Sequence, residues 1–324
     1  MNSKLFFLQS GEDVSGAQRR LGEAIMAAQP GAYKQIRTPS SYNLYRCGIP
    51  PDRVAVIVSG GGGTGPLFPG FAGPGLADAA IAGDFDTAPS AYTLYEMART
   101  IHQGRGVLIL TNKYTGDFLN NDMAQELLRT EHIDSRVCYA NEDIFGVSDE
   151  PIENRGGMFG VGILVKVAAA AADAGLDLDE VYRITRKAAD RMRCVTVRLN
   201  EDTNCVEFGA GFSGEEPKLV FPYRGMEDMA ARIEETVMKE LAAYSPKAVS
   251  IAVNRMQVLT FLEGLAIMNS LKKHFEKKGY RVSGCSAGGY FSAFFGPGCI
   301  VTVSAPDDEL LRYMPVVKGY DFTI

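Results

Sequence analysis

The 324-residue sequence has no C-x-x-C pair, no run of basic residues and no apolar stretch long enough to cross a bilayer. Each absence excludes a class. The six cysteines, Cys47, Cys138, Cys194, Cys205, Cys285 and Cys299, lie far apart in mostly apolar, strand-like runs. That pattern suits buried, reduced thiols in the cytoplasm and fits neither a disulfide framework nor a zinc site. A formal charge of −6 without a basic cluster leaves nothing to neutralise a phosphate backbone, so nucleic acid is not an expected partner. The first residues carry no charged segment followed by a long apolar one, and glycines or charges break every longer apolar run, so neither a signal peptide nor a membrane span is expected. Histidine is scarce: His102, His132 and His274 all fall in charged, helix-like segments such as LKKHFEKK and read as solvated helix residues.

What is present describes a large folded chain. Apolar residues make up 46% and charged residues 22%, enough to bury a full core, and the length suits two packed domains. Short β-branched runs at Val54 to Ser59, Val107 to Thr111, Arg136 to Ala140, Cys194 to Leu199, Val249 to Asn254 and Ile300 to Ser304 read as strands. Helices are expected at Val14 to Ala28, Ser90 to Gln103, Phe118 to Glu131, Gly157 to Ala174, Leu178 to Met192, Met226 to Ala243 and Leu259 to Lys278. The alternation predicts an α/β fold with two α/β domains, each a largely parallel mixed sheet flanked by helices, divided near residue 190 into 1–190 and 191–324. Between two helices, Gly175 can take the left-handed conformation that ends the first, and Asp177 with Glu180 forms a capping box for the second.

The segment VAVIVSGGGGTGPLFPGF runs from an apolar strand into Ser59, Gly60, Gly61, Gly62, Gly63, Thr64 and Gly65. Glycines there let the backbone turn sharply and bring bare N–H groups toward a ligand. No Lys-Ser/Thr pair follows, so this is not a Walker A loop; Pro66 and Pro69 intervene before any helix, so it is not a dinucleotide fingerprint. The alternative is a tight strand exit with no ligand. Its place at the C-terminal edge of a strand in an open α/β sheet favours a binding loop.

Four further segments follow in order: DTAPSAYTLYEMA from Asp86, NKYTGDFLN from Asn112, NRGGMFGVGILVKVAAAAADAG from Asn154 and EFGAGFSGE from Glu207. In this order and at these separations the chain resembles the substrate-binding subunit of dihydroxyacetone kinase, the Dak1 domain, from about Leu21 onward. The resemblance implies a cytoplasmic homodimer that binds a small ketose in its first domain and tethers the ketose carbonyl to a histidine. It also implies that a nucleotide, ATP or ADP, sits on a separate helical subunit. No cofactor or metal is expected on this chain itself. As the sequence closes at Ile324 soon after its last strand, the chain is expected not to use ATP alone.

The chain departs from the family pattern where the ligand would sit. Ser213 stands in the place of the tethering histidine, and a hydroxyl is a far weaker nucleophile than imidazole unless a base activates it. Gly65 or Pro66 replaces a second family histidine after the glycine loop. Ala88 occupies the place of a ligand-contacting serine, while Ser90 reads as the cap of the next helix. In the family the order is Lys-Asn before Tyr-Thr-Gly-Asp; here it is Asn112, Lys113, so alternation can turn Lys113 to the opposite face. Asp117 keeps the place of the family's aspartate. It reads either as a general base or as the N-cap of the helix from Phe118, held ionised by the helix dipole.

Three functions compete on these residues. The first is a kinase subunit that binds a small ketose or polyol non-covalently through Gly61, Gly62, Gly63, Thr64, Gly65, Ala88, Asn112, Lys113 and Ser213, with Asp117 as base. The second is a non-catalytic relative that senses a ligand or coactivates a regulator. The third is a purely structural role, for which the conformational cost of the glycine-dense loop has no explanation.

Overall fold

The computed structural model describes residues 11–38, 42–62, 65, 67–85, 87–146, 154–210, 216–256, 259–291, 298–317 and 324. Contacts divide the chain into two compact units. The first is Met1–Ala140 with Val161–Arg186 and Tyr313–Asp321; the second is Asn141–Gly160 with Lys187–Arg312 and Phe322–Ile324. Compared with halves cut near residue 190, residues 141–160 and 313–321 change sides.

In the first unit the elements are α1 (Gly11–Ala28), β1 (Tyr33–Lys34), β2 (Tyr42–Arg46), β3 (Ala55–Gly62), β4 (Ala79–Phe85), α2 (Ala91–Ile101), β5 (Val107–Asn112), α3 (Thr115–Thr130), β6 (Ser135–Ala140), α4 (Gly160–Asp173) and α5 (Leu178–Asp190). The sheet order is β1-β2-β4-β3-β5-β6. Strands β4, β3, β5 and β6 are parallel, and β1 and β2 form an antiparallel edge. Every residue of β5 and all but one of β3 are buried, as parallel strands covered on both faces require. One face places Ala55, Ile57, Val107 and Ile109 against Leu94 and Met97 of α2 and Ala124 and Leu128 of α3. At the other end of the strands, the buried carboxylate of Asp78 accepts hydrogen bonds from Arg46 Nε and the Val56 N–H, both at 2.8 Å, and pairs with Arg53.

The second unit holds β7 (Met192–Asn200), β8 (Cys205–Phe208), β9 (Leu219–Pro222), α6 (Met226–Leu241), β10 (Ala248–Met256), α7 (Phe261–Lys277), β11 (Arg281–Gly288), β12 (Gly298–Ser304) and α8 (Asp308–Leu311). Its order is β11-β10-β12-β7-β8-β9. Only β10 and β11 are parallel; the other neighbours are antiparallel, which corrects the expectation of a largely parallel sheet. The reason is local. The turn at 201–204 joins β7 to β8 directly, and so short a link can only make a hairpin. Helices α6 and α7 bury Ile233, Val237, Leu271 and Phe275 on the sheet through Val195, Ile251, Val253 and Val301.

All six expected strands form, and β2, β4, β8, β9 and β11 are additional. The alanines of β4 and the glycines and serines of β11 hide the strand period. Gly175 is left-handed at φ 78°, and Asp177 caps α5 by accepting the Glu180 N–H at 2.9 Å. The Glu180 carboxylate turns instead to Arg183. All six cysteines are free; Cys138, Cys194 and Cys299 are buried as expected, whereas Cys285, on the edge strand β11, is exposed. No helix among the described residues is long and apolar enough to cross a membrane.

Candidate functional site

Parallel strands bring the ends of β3, β4 and β5 to one edge of the first sheet. Gly60 must lack a side chain there, since a Cβ would sit 2.1 Å from Phe68 Cζ, whose ring closes beneath the loop. Gly61 is half-buried and Gly62 buried, while a Cβ on the half-buried Gly65 would meet only open space. The expected ligands Gly63 and Thr64, and also Pro66, lie outside the described residues, as does Ser213. After β4 the chain folds back so tightly that a Cβ on Gly83 would come within 1.8 Å of the Thr87 carbonyl oxygen. The fold-back carries Ala88 against Gly116 in the first turn of α3; a Cβ on Gly116 would lie 3.3 Å from the Ala88 methyl. Ser90 is the helix cap it was read as, accepting the Thr93 N–H at 3.2 Å.

Asp117 is not an N-cap. The Tyr114 backbone is extended and its carbonyl accepts the Phe118 N–H at 2.9 Å, so α3 starts at Thr115 and Asp117 is its third residue. Its carboxyl is 4% exposed, and Oδ1 has no partner among the described residues. Burial pushes its pKa up from 3.8 to about 7, against a smaller downward pull from a hydrogen bond with the Thr111 side chain. The expectation that the helix dipole keeps this group ionised is therefore corrected: desolvation outweighs the dipole.

A polar cluster surrounds the carboxyl. Asp117, Asn121, Ala124 and Leu128 are the buried stripe of α3, at the spacing of one helix face. Ser59 and Thr111 are register partners in β3 and β5, and they continue the face on which Ile57 and Ile109 stand. The α3-to-sheet contact is thus apolar along most of its length and becomes Ser59, Thr111, Asp117 and Asn121 at the ligand edge. Ser59 Oγ and Asn121 Oδ1 also lack partners among the described residues. The sequence signal for Ser59 and Thr111 is a hydroxyl closing an apolar run, VAVIVS and VLILT; nothing local marks Asn121.

Asn112, the last residue of β5, is buried with Oδ1 unpartnered among the described residues, and alternation sends it to the face opposite Thr111. Lys113 lies beyond the strand and is half-buried, so strand alternation does not fix its direction. Two histidines are not within helices as expected. His102 follows α2 and accepts the Gly106 N–H at 3.4 Å, and His132 follows α3 with φ 57°. Both stand at the strand starts, far from the glycine loop in the strand direction. Among the described residues no group of three or more His, Cys, Asp or Glu side chains could hold a metal ion.

In the second unit the Glu-Phe-Gly segment is architectural. Glu207 accepts from Arg198 Nε at 2.7 Å and Asn200 Nδ2 at 2.9 Å, and Phe208 is core. Gly209 is left-handed at φ 72°, with no room for a Cβ beside Phe145.

A family profile described as the Dak1 domain matches residues 23–318. The chain is 28% identical over 276 residues to a D-erythrulose kinase of Mycolicibacterium smegmatis, covering 81% of this chain and 48% of that protein. It is 29% identical over 271 residues to the dihydroxyacetone-binding subunit DhaK of a PTS-dependent dihydroxyacetone kinase 2 of Listeria innocua, covering 80% and 81%. The chain therefore spans about half the length of the first relative and most of the second. Among solved structures, a dihydroxyacetone kinase operon co-activator, Dha-DhaQ, has the same fold, with a TM-score of 0.83, 22% identity and 93% and 96% of the two chains covered.

Proposed function

Because the chain belongs to the Dak1 domain family, we propose that it binds a small ketose or polyol by hydrogen bonds alone and presents it for phosphorylation by a separate nucleotide-carrying subunit. The observation that carries this reading is Asp117: a buried carboxyl with an open oxygen at the ligand edge and a pKa near neutrality. A general base works best when its pKa lies near the working pH. Asp117 would accept the proton of the attacking hydroxyl as that oxygen bonds to the transferred phosphorus. Phosphoryl transfer depends mostly on positioning and electrostatics, so losing a covalent tether does not forbid it. Gly61, Gly62 and Gly65 supply backbone groups at the rim, with Gly63 and Thr64 completing the loop. Ala88, Asn112 and Lys113 border the same edge, and Ser213 stands in sequence where the tether would be.

Exposed Tyr114, Phe118, Leu119 and Met123 flank Asp117 on the first turns of α3. They offer the nucleotide-carrying subunit an apolar landing next to the base. The test is to mix the protein with the helical subunit of a relative and a panel of three- to five-carbon ketoses. Phosphorylated product is expected from at least one, and Asp117→Asn should lower its rate by about 10²- to 10⁴-fold. No product from any ketose would sink the reading. Borohydride trapping should give no mass shift; a shift on Lys113 would reveal an imine and replace the non-covalent proposal.

A second reading, a ligand sensor or coactivator, is favoured by Ser213 in place of the tethering histidine, since a group needed only for chemistry is free to disappear when chemistry stops. Identifying the bound partner separates the two: a DNA-binding regulator supports the second, a nucleotide-carrying subunit the first. A cytoplasmic homodimer belongs to both readings, and sedimentation of the purified protein measures its oligomeric state.

A further inference from the structure

Thr111 interrupts an otherwise apolar strand with a hydroxyl that no solvent reaches. Such a group costs stability unless it is hydrogen-bonded. Two acceptors lie within reach: the Asn112 carbonyl oxygen at 3.4 Å and the Asp117 carboxyl. The first is long for an O–H···O bond, and a bond to a charged acceptor is about twice as strong as a neutral one. An ionised Asp117 therefore takes the proton. From the same helix, Asn121 Nδ2 donates to the Asp117 main-chain oxygen at 2.8 Å and fixes the turn on which the carboxyl stands.

We infer that Thr111 is a positioning residue for Asp117: its hydroxyl holds one carboxyl oxygen, leaves Oδ1 open toward the ligand edge, and favours the charged form that can accept a proton. The elements packed against α3 carry further ionisable groups. These are Arg136, Cys138 and Tyr139 on β6, Tyr92, Tyr95, Glu96 and Arg99 on α2, Lys113 ahead of the helix and Asp122 within it. Tyr139 senses the charges of Asp122 and Asp117, although burial is the main reason its hydroxyl is pushed up to about 12. The causes acting on Asp117 itself are burial, upward, and Thr111, downward.

This inference rests on the kinase reading only for its catalytic consequence, because the hydrogen bond can be measured without ligand. Carboxyl ¹³C NMR of the intact protein would follow the Asp117 signal, assigned by its loss in Asp117→Asn. The wild-type midpoint is expected near the value of about 7. Thr111→Val should move it up by about one pH unit, the size of a hydrogen bond to a charged group, while Thr111→Ser should hold it in place. If valine perturbs the fold, Thr111→Ala provides the same loss of hydroxyl in a smaller side chain. An unchanged midpoint in the folded valine or alanine variant would overturn the inference. A shifted midpoint with no ketose phosphorylated would leave Thr111 in its role and remove the kinase reading. An unshifted midpoint with ketose turnover would do the reverse.

Discussion

At the residue scale, Asp117 couples function to stability. Its pKa lies near 3.8 in an unfolded chain and at about 7 in the fold. As pH rises past 4 the unfolded chain loses this proton while the folded protein keeps it, so the unfolded state binds fewer protons. Stability therefore falls between about pH 4 and pH 7, by at most roughly 4 kcal/mol, and is level above that. Asparagine cannot ionise, so urea unfolding should find Asp117→Asn more stable than wild type at pH 8, though slower in turnover. Equal or lower stability of the variant at pH 8 would contradict the buried, titrating carboxyl. Gly83 tests the neighbouring loop: a Cβ there meets backbone rather than a movable side chain. Gly83→Ala should cost about 1–3 kcal/mol in thermal or urea unfolding and loosen ketose binding by displacing Ala88.

At the scale of elements, α3 does two jobs with two faces. Its inward stripe of Asp117, Asn121, Ala124 and Leu128 holds the base against β5, and its outward Phe118, Leu119 and Met123 remain exposed. Replacing Leu119 and Met123 with glutamate should raise the concentration of helical subunit needed for half-maximal turnover. The melting temperature of the isolated protein should change little, because the side chains being replaced are already in water. If partner dependence is unchanged, the landing lies elsewhere. The capping aspartate read from sequence and the first-turn aspartate found in the fold differ by a shift in helix start that Tyr114 decides. Its extended backbone lets Thr115 and Gly116 join the helix.

At the scale of the whole molecule, two units with different sheets share one chain. The first is pinned by Asp78, enclosed between Arg46 and Arg53. Asp78→Ala would leave two buried guanidinium groups without their carboxylate, a loss of about 3–5 kcal/mol. The effect should be confined to the first unit. Denaturation followed by tyrosine fluorescence and hydrogen exchange should show β3, β4 and β5 opening early while β7, β10 and β12 keep their protection. A single, uniformly shifted transition would mean that the units unfold together.

The sequence by itself determined the α/β class, the six strands with strong β-branched runs, the glycine exit from β3 and the family. These are carried by short stretches whose period or spacing survives without context. Tertiary structure alone decided the rest. The pairing of β12 between β10 and β7 makes the second sheet mostly antiparallel, and pairing partners far apart in sequence leave no local mark. The environment of Asp117 was also beyond local reading: its neighbours Ser59, Thr111 and Asn121 come from three elements. Only their assembly removes water from the carboxyl, and that removal turns a plausible cap into a carboxyl able to exchange its proton near neutral pH.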